Sequence, residues 1–208
     1  MKLVIATMNP DKARELEALL DLPGVELVSL ADFEGATAPL ETGTTLLENA
    51  LLKARAGLRF TGLSAIADDT GLEVDALGGR PGFEAARYSG LDAGYADNLR
   101  KLLDELRGVE PARRGARFRT VCVACLEDGR ELEAEGVLEG SITERPRGAS
   151  GFGYDPVFEV PCLARTLAEL GAAEKNAVSH RARAVRGLAE KLASALGAPG
   201  GTRTTGAG

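Results

Sequence analysis

The spacing of apolar residues along the chain alternates between strand-type runs and helix-type stripes. Lys2 to Ala6 is a nearly continuous apolar run, typical of a buried strand, and Val25 to Leu30 predicts a second strand. Apolar residues at helical spacing predict helices from Pro10 to about Leu20, from about Thr45 to Arg59 and from about Tyr95 to Arg107. We therefore assign the chain to the α/β class.

The central and C-terminal parts of the chain continue this pattern. Further strands are predicted over residues 64–68, 72–77, 117–126, 130–138 and 157–160, with a last helix from about Ser179 to Leu196. The pair Asp128-Gly129 separates two of the apolar runs and predicts a β-hairpin there.

The second helix carries its own start signal. Thr45 and Glu48 have the spacing of a capping box, in which each side chain accepts a hydrogen bond from the backbone of the other. Just before this helix, Glu41 is either a simple N-terminal charge or a metal ligand delivered by a loop. The predicted apolar face consists of Leu47, Ala50, Leu51 and Ala54, and the polar residues that stand apart from it are Glu48, Asn49 and Lys53.

Two adjacent carboxylates are the strongest candidate for chemistry. A short apolar strand runs into Asp68 and Asp69 and breaks at Thr70-Gly71. Ligands of open α/β sheets bind beyond the carboxyl ends of strands, and adjacent strand residues point to opposite faces. We expect one aspartate to face a ligand and the other to be tied into the structure. The alternative is a solvated turn, but the glycine-rich segment 78–82 and the donors that follow it favour a site.

The turn after the first strand predicts an anion site. Asn9 fits the N-cap position and Pro10 the first position of a helix. Free backbone N–H groups and the helix dipole favour a phosphate there, and Lys12 adds a mobile positive charge. The segment lacks the Gly-x-x-x-x-Gly-Lys pattern of a P-loop. The alternative is a well-capped helix with a surface lysine.

A glycine-rich loop over residues 148–156 is a further candidate. Its glycines alternate with the rings of Phe152 and Tyr154 and precede Asp155. Such backbone freedom combined with exposed rings is rarely structural alone. The rings could stack on a flat base.

A basic cluster opens the last helix. His180 is the only histidine, and it adjoins Arg181 with Lys175 close in sequence. Positive charge at a helix N-terminus is unfavourable for stability, which indicates an anionic partner. The alternative for His180 is an ordinary core or surface histidine.

Composition and charge exclude several classes of protein. The length of 208 residues suits one large domain or two close lobes around a shared sheet. The hydrophobic fraction of 44% is enough for a core. The net charge of −6 argues against a surface for duplex nucleic acid, although it permits a local basic pocket. Apolar runs fall short of the roughly 20 residues of a membrane span, and the N-terminus does not resemble a signal peptide. We expect a cytoplasmic protein that binds neither nucleic acid nor membrane.

Two of the three cysteines have the spacing of a zinc or redox site. Cys122 and Cys125 nevertheless lie within the predicted strand 117–126. Residues three apart on a strand point to opposite faces, so we expect buried, reduced core thiols. The polar segment 198–208 is predicted to be a flexible tail, which leaves residues 1–197 as the domain.

Four motifs stand in a fixed order along the chain. They are Ala6-Thr7-Met8-Asn9-Pro10-Asp11-Lys12, Ala67-Asp68-Asp69-Thr70-Gly71-Leu72, Gly151-Phe152-Gly153-Tyr154-Asp155-Pro156, and Ser179-His180-Arg181 with Lys175 upstream. Together with Glu48-Asn49-Ala50 and the segment from Pro81-Gly82 to Ala86-Arg87-Tyr88-Ser89-Gly90, this ordered set closely resembles the inosine/xanthosine triphosphate pyrophosphatase family. The resemblance covers about residues 1–197.

The resemblance carries expectations about fold and activity. It implies a central twisted mixed β-sheet flanked by helices, two lobes around a nucleotide-binding cleft, and a homodimer. It also implies Mg²⁺-dependent hydrolysis of ITP, dITP or XTP to the monophosphate and pyrophosphate, which keeps deaminated purines out of DNA and RNA.

The resemblance also implies roles for individual residues. Asp69 would be the proton acceptor and a Mg²⁺ ligand, with Glu41 as a second ligand. The choices between Asp68 and Asp69, and between Glu41 and Glu48, stay open. The expected substrate contacts are Thr7, Met8, Asn9, Pro10, Asp11, Lys12, Thr70, Phe152, Gly153, Tyr154, Asp155, Lys175, His180 and Arg181. The chain departs from the family in having Thr70 where serine is commoner and Met8 where a small residue is usual.

Base selection would depend on hydrogen bonding. Donors such as Arg181, His180 or backbone N–H groups would pair with a keto oxygen at C6 and be left unpaired by adenine. A competing hypothesis is a non-catalytic purine-nucleotide-binding regulator, but two carboxylates without a metal would only repel a bound anion. A Rossmann oxidoreductase is disfavoured, because Gly-x-Gly-x-x-Gly does not follow the first strand.

Overall fold

The computed structural model describes residues 1–197, and the predicted tail 198–208 lies outside them. The strands of this part are β1 (Lys2–Ile5), β2 (Glu26–Ser29), β3 (Ala65–Val74), β4 (Pro81–Gly82), β5 (Gly115–Cys125), β6 (Glu131–Ile142), β7 (Phe158–Val160) and β8 (Arg165–Thr166). The α-helices are α1 (Pro10–Leu19), α2 (Leu46–Thr61), α3 (Tyr95–Glu105), α4 (Ala172–Val178) and α5 (His180–Gly197). Among these helices, none combines the length and the apolar composition that crossing a bilayer requires.

The strands form one mixed sheet within the described residues. Their order is β2-β1-β3-β5-β6-β7-β8, with the short β4 paired to β3. β1 runs parallel to both β2 and β3, and every other pair is antiparallel. The predicted α/β class and mixed sheet are therefore confirmed. The hairpin around Asp128-Gly129 is confirmed too, since Cys125 pairs with Glu131 across it.

The central strand β3 differs from its prediction. The expected strands 64–68 and 72–77 are one uninterrupted strand, so Asp68 and Asp69 lie mid-strand and not in a turn. Thr70 and Gly71 continue the ladder opposite β5. A glycine is needed at position 71 for close approach, because a Cβ there would lie 2.8 Å from the carbonyl oxygen of Gly82 on β4.

The alternation of side chains along the strands divides the core between the two faces of the sheet. Cys122 packs in the cluster beneath α1 and α5, whereas Cys125 packs in the cluster beneath α2. Both thiols are buried and free, as predicted. The same alternation directs Asp68 toward α5 and Asp69 toward α2. The two faces of β3 therefore present one carboxylate each.

The apolar face of α2 is rotated relative to its prediction. Asn49 and Lys53 are buried, whereas Leu47 and Leu51 are only half-buried. The helix lies over the sheet beside the carboxylate of Asp69, so its buried stripe includes the polar groups that meet this end of the sheet. Small residues at the same stripe allow the close contact.

The start of α2 uses half of the expected capping box. The hydroxyl of Thr45 accepts a hydrogen bond from the Glu48 N–H at 3.1 Å, as predicted. The Glu48 carboxylate instead accepts from the backbone N–H and hydroxyl of Thr44. Glu48 is therefore occupied at the helix start.

The C-terminal region contains a helix that the apolar spacing did not predict. The short α4 precedes α5, and Ser179 separates them and caps α5 by accepting from the Ala182 N–H at 3.2 Å. This connection buries Lys175, His180 and Arg181 against the sheet.

Candidate active site

A pocket of about 240 Å³ opens where the first strand, α1, α2, β3 and α5 converge. It gathers all but two of the residues predicted for the site. Those that line it are Thr7, Met8, Asn9, Lys12, Glu41, Asp69, Thr70, Phe152, Gly153, Tyr154, Asp155, Lys175, His180 and Arg181. Further lining residues include Lys53, Phe83, Tyr95, Asn98 and Phe118.

Pro10 and Asp11 lie outside the lining of this pocket. Pro10 occupies the first position of α1 and contributes no N–H. The carboxylate of Asp11 pairs with Arg14 and accepts from the Tyr95 hydroxyl at 3.2 Å. Their predicted substrate contacts are therefore not supported by their positions.

The start of α1 is capped by its own side chain. Asn9 Oδ1 accepts from the N–H groups of Asp11 at 2.9 Å and Lys12 at 3.3 Å, which confirms the predicted N-cap. The expectation of free backbone donors is therefore wrong for Asp11 and Lys12, whose N–H groups the cap occupies. Positive potential comes instead from the helix dipole and from Lys12.

Lys12 is not a mobile surface lysine. Its Nζ lies 3.3 Å from Asp68 Oδ2, and its side chain is 17% exposed. Burial lowers the pKa of Lys12, although the Asp68 carboxylate opposes this effect. The ammonium group is therefore held in place at the pocket wall.

Asp68 is the aspartate tied into the structure. Its Oδ2 accepts from Arg181 Nε at 3.2 Å, Arg181 Nη2 at 3.0 Å and the Thr70 hydroxyl at 3.1 Å. Burial opposes the charge of Asp68, but Lys12 and Arg181 outweigh it and hold its pKa far below the usual range. Asp68 is therefore a permanent anion that anchors cations.

Asp69 has one oxygen in use and one available. Its Oδ1 accepts from Lys53 Nζ at 2.6 Å, while its buried Oδ2 has no hydrogen-bond partner among residues 1–197. Burial raises the pKa of Asp69, against the opposing effects of Lys12 and Lys53. A pocket-lining carboxylate with an unused oxygen and a raised pKa is suited to accept a proton.

Glu41 and Asp69 face each other across one ammonium group. Lys53 Nζ donates to Glu41 Oε1 at 3.0 Å as well as to Asp69. Burial opposes the charge of Lys53, but Asp69, Asp68 and Glu41 together raise its pKa. Lys53 thus neutralises two carboxylates that would otherwise repel.

The carboxylates fit a hard cation better than a soft one. Carboxylate oxygens are the ligands that Mg²⁺ prefers, usually one or two together with waters. The unpartnered Asp69 Oδ2 is an available ligand, and Glu41 is its neighbour through Lys53. In the described part of the chain, His, Cys, Asp and Glu side chains do not form a group of three or more that could hold a metal alone. The donor set is therefore compatible with Mg²⁺ bound partly by substrate or water.

The far end of the pocket combines cations with an aromatic ring. The Phe152 ring centroid lies 5.0 Å from Lys175 Nζ and 5.6 Å from the Arg181 guanidinium carbon. The Tyr95 ring lies 5.6 Å from it in a tilted arrangement. Tyr154 differs from its prediction, since its ring is buried and its hydroxyl donates to the Ala85 carbonyl. One half-buried ring of the glycine-rich loop, that of Phe152, is thus free to meet a flat base.

A buried and a half-buried carboxylate hold the basic cluster around the start of the last helix. Lys175 Nζ donates to Glu15 and Asp155, at 2.6 Å in each case, and Arg181 donates to Glu15. Burial raises the pKa of Asp155, although Lys175 opposes it. The positive charges expected to attract an anion are therefore balanced by acids from α1 and the loop.

His180 is buried and neutral. Its Nδ1 lies 2.6 Å from the Thr120 hydroxyl, and its ring stacks on Phe118 at 4.5 Å. Burial and the neighbouring Arg181 lower its pKa well below 6.5. His180 is thus a core histidine that also lines the pocket.

The lowered pKa of His180 predicts acid sensitivity. In the unfolded chain the imidazole binds a proton below a pKa of about 6.5, whereas the folded state resists it, so stability falls as pH falls through that value. Between pH 6.5 and 5.5, the wild type should lose about 1 kcal/mol more stability than His180→Asn. Urea unfolding at the two pH values measures this, and equal losses would contradict it. Because the chain has one histidine, other imidazoles do not contribute.

Sequence reasoning missed several residues of the site. Lys53 lies three residues after Ala50 in α2, a spacing that could have placed it on the buried face. Glu15 follows Lys12 by three residues in α1, so it shares the face of α1 that meets the pocket. Thr120 and Tyr95 gave no such signal, because their roles arise only when distant segments meet.

Comparison with known proteins identifies the relatives of this chain. The model of the Ham1 family matches residues 3–191. The dITP/XTP pyrophosphatase of Yersinia pseudotuberculosis is 49% identical over 196 residues, which cover 93% of this chain and 99% of that protein. The dITP/XTP pyrophosphatase of Geobacillus kaustophilus is 48% identical over 201 residues, 97% of this chain and 98% of that protein.

Solved structures agree with these matches. A HAM1 protein from Coxiella burnetii superposes with a TM-score of 0.83 at 39% identity, covering 93% of this chain and 99% of that one. The nucleoside-triphosphatase / dITP/XTP pyrophosphatase from Mycobacterium abscessus gives a TM-score of 0.72 at 46% identity, covering 92% and 99%. Family membership explains the ordered motifs, the mixed sheet and the pocket that the motifs line. The chain belongs to the Ham1 family.

Proposed function

We propose that this protein hydrolyses deaminated purine nucleoside triphosphates, namely dITP, ITP and XTP, to the nucleoside monophosphate and pyrophosphate. The observation that carries the proposal is one pocket lined by Asp69 with its unpartnered oxygen, by Lys12 and Lys53, and by the Phe152 ring. The names of the relatives support the same substrate class. Such hydrolysis would keep deaminated purines out of DNA and RNA.

The phosphate end of the pocket supports the cleavage step. Lys53 is a buried cation and Lys12 a half-buried one, and their carboxylate partners hold both in position, so they can stabilise negative charge on a polyphosphate without reorganising. The Asp69 carboxylate takes a proton from the attacking water. The water oxygen bonds to the α-phosphorus, the bond from that phosphorus to the bridging oxygen breaks, and pyrophosphate leaves.

Magnesium is the proposed cofactor, with Asp69 and Glu41 as its ligands. When bound, it would neutralise phosphate charge and lower the pKa of a coordinated water. Lys53, which donates to both carboxylates, would orient them toward the cation. Asp68 is disfavoured as the ligand because Arg181, Lys12 and Thr70 surround its Oδ2, and its unpartnered Oδ1 belongs to a residue outside the pocket lining.

Product analysis in ¹⁸O-labelled water tests this chemistry. Hydrolysis of ITP should give IMP and pyrophosphate, with the label in IMP, because attack occurs at the α-phosphorus. Label in pyrophosphate would show that water attacks the β-phosphorus instead. Formation of IDP and inorganic phosphate would contradict the proposed reaction.

The base end of the pocket predicts a separate effect on binding. Phe152→Leu keeps an apolar side chain but removes the ring that would stack on the base. Stacking on an aromatic side chain contributes about 1–3 kcal/mol, so KM for ITP should rise roughly tenfold while kcat changes little. Steady-state kinetics measure both constants. Phe60→Leu, at a half-exposed phenylalanine of α2, is the control, and an unchanged KM for Phe152→Leu would exclude stacking.

A homodimer and a cytoplasmic location are further proposals that rest on the family resemblance. Sedimentation of the purified chain should give twice the monomer mass of 21.7 kDa. A concentration-independent monomer would contradict the dimer.

A further inference from the structure

A chain of hydrogen bonds links the neutral imidazole of His180 to the Asp68 carboxylate. His180 Nδ1 lies 2.6 Å from Thr120 Oγ1, which lies 2.7 Å from Thr70 Oγ1. Thr70 Oγ1 in turn lies 3.1 Å from Asp68 Oδ2. All four residues lie on strands or at a helix start, so secondary structure fixes the order of the chain.

The carboxylate sets the direction of these hydrogen bonds. Asp68 only accepts, so the Thr70 hydroxyl proton points toward it. Thr70 Oγ1 also receives an N–H from Arg181 at 3.1 Å. A hydroxyl has one proton and two lone pairs, so the remaining lone pair of Thr70 accepts from Thr120.

The proton on His180 follows from that direction. Because Thr120 donates its only proton to Thr70, its oxygen can only accept from His180. The Nδ1 atom of His180 must therefore carry a proton. The ring is neutral at pH 7, so its Nε2 has none. The reverse direction would leave two oxygens, on Thr70 and Asp68, facing each other without a proton.

We infer that Thr120 is a positioning residue that holds His180 in the Nδ1–H tautomer, so that His180 offers the substrate a hydrogen-bond acceptor at Nε2. This inference rests on the proposed function for its substrate. Nε2 makes no hydrogen bond to another residue within 1–197, and the side chain lines the pocket. The ligand group it fits is an N–H donor.

The acceptor distinguishes purines by the group at N1. Six-keto purines such as hypoxanthine and xanthine carry a proton on N1, whereas N1 of adenine is itself an acceptor. Nε2 therefore attracts the former and repels the latter, and it leaves guanine to be excluded elsewhere. His180 is then not a donor to the keto oxygen at C6, although the sequence made it a candidate for that role. Arg181 already commits four of its five N–H groups, so one remains for an oxygen of the substrate.

The tautomer is directly measurable, because the chain contains a single histidine. Full-length protein labelled with ¹⁵N-histidine should show, at pH 7.5 without nucleotide, a protonated Nδ1 and an unprotonated Nε2. Couplings to the ring C–H protons tell the two nitrogens apart. A proton on Nε2, alone or together with one on Nδ1, would overturn the inference. A neutral imidazole in water favours Nε2–H, so the expected result is not the default.

Two matched variants test the role of Thr120. Thr120→Ser keeps the hydroxyl and should keep the tautomer, whereas the nearly isosteric Thr120→Val should move the proton toward Nε2. Relative to Thr120→Ser, Thr120→Val should lose roughly 3- to 10-fold in kcat/KM for ITP and discriminate less against ATP. An unchanged tautomer or unchanged discrimination in Thr120→Val would overturn the positioning role. If the wild type bears Nδ1–H but does not hydrolyse ITP, the proposed function fails while the assigned tautomer stands.

Discussion

Asp69→Asn is expected to lower kcat for ITP by about 10²- to 10⁴-fold while the protein stays folded. The lost group is the carboxylate oxygen that would accept the proton of the attacking water, and general-base catalysis contributes rate factors of this size. Asparagine is nearly isosteric, and Lys53 retains Glu41 as a partner. Pyrophosphate release and circular dichroism measure turnover and folding on the same samples.

Two control variants separate the roles of Asp69. Asp92→Asn removes a charge from an exposed aspartate away from the pocket lining and should leave kcat unchanged. Glu41→Gln should mainly raise the Mg²⁺ concentration needed for half-maximal activity, because Glu41 is proposed as a metal ligand only. If Asp69→Asn hydrolyses ITP at the parent rate, Asp69 is not the base. If excess Mg²⁺ fully restores the activity of Asp69→Asn, Asp69 acts only as a metal ligand.

Arg181→Leu is expected to destabilise the protein by about 3–5 kcal/mol. The guanidinium is 2% exposed and pairs with the buried carboxylate of Asp68 and the half-buried carboxylate of Glu15. Removing one partner of a buried ion pair leaves uncompensated charge in the interior, which costs this much. Lys12 and Lys175 remain beside the two acids, and they limit the loss. Urea unfolding followed by circular dichroism gives the free energy of unfolding.

Arg186→Leu on the same helix is the matched control. Arg186 is exposed and donates only to the Asn176 carbonyl, so its loss should change stability by no more than about 0.5 kcal/mol. A loss below about 1 kcal/mol for Arg181→Leu would mean that the acids find other partners. In that case the ion network of Asp68 would not be what anchors α5 to the sheet.

The fold could be predicted as far as local patterns reach. Asn9 caps α1, as an asparagine just before Pro10 predicts. The pair Asp128-Gly129 lies in the expected hairpin turn. The break at Gly71 was wrong, because a glycine that admits a neighbouring strand is identical in sequence to one that turns the chain. Local patterns of this kind do not reveal which distant residue a given residue contacts.

The sequence predicted which residues form the site better than it predicted which residues they contact. The alternation rule correctly separated Asp68 from Asp69, and structure was needed to tell which one is held by cations. Lys53 was predicted to stand apart from the apolar face of α2, and its burial depends on two carboxylates from other segments, Glu41 and Asp69. The hydroxyl of Thr120 acquires its role only through strand pairing with Thr70.

The most direct test of the account is pyrophosphate release from ITP, XTP, dITP, GTP and ATP, measured with Mg²⁺ and with EDTA. We expect fast release from the first three with Mg²⁺, little from GTP or ATP, and none with EDTA. Equal release from ATP would contradict the proposed base selection, and release in EDTA would contradict the role of Mg²⁺. Tight binding of ITP without any product would instead favour a nucleotide-binding regulator and contradict the proposed hydrolysis.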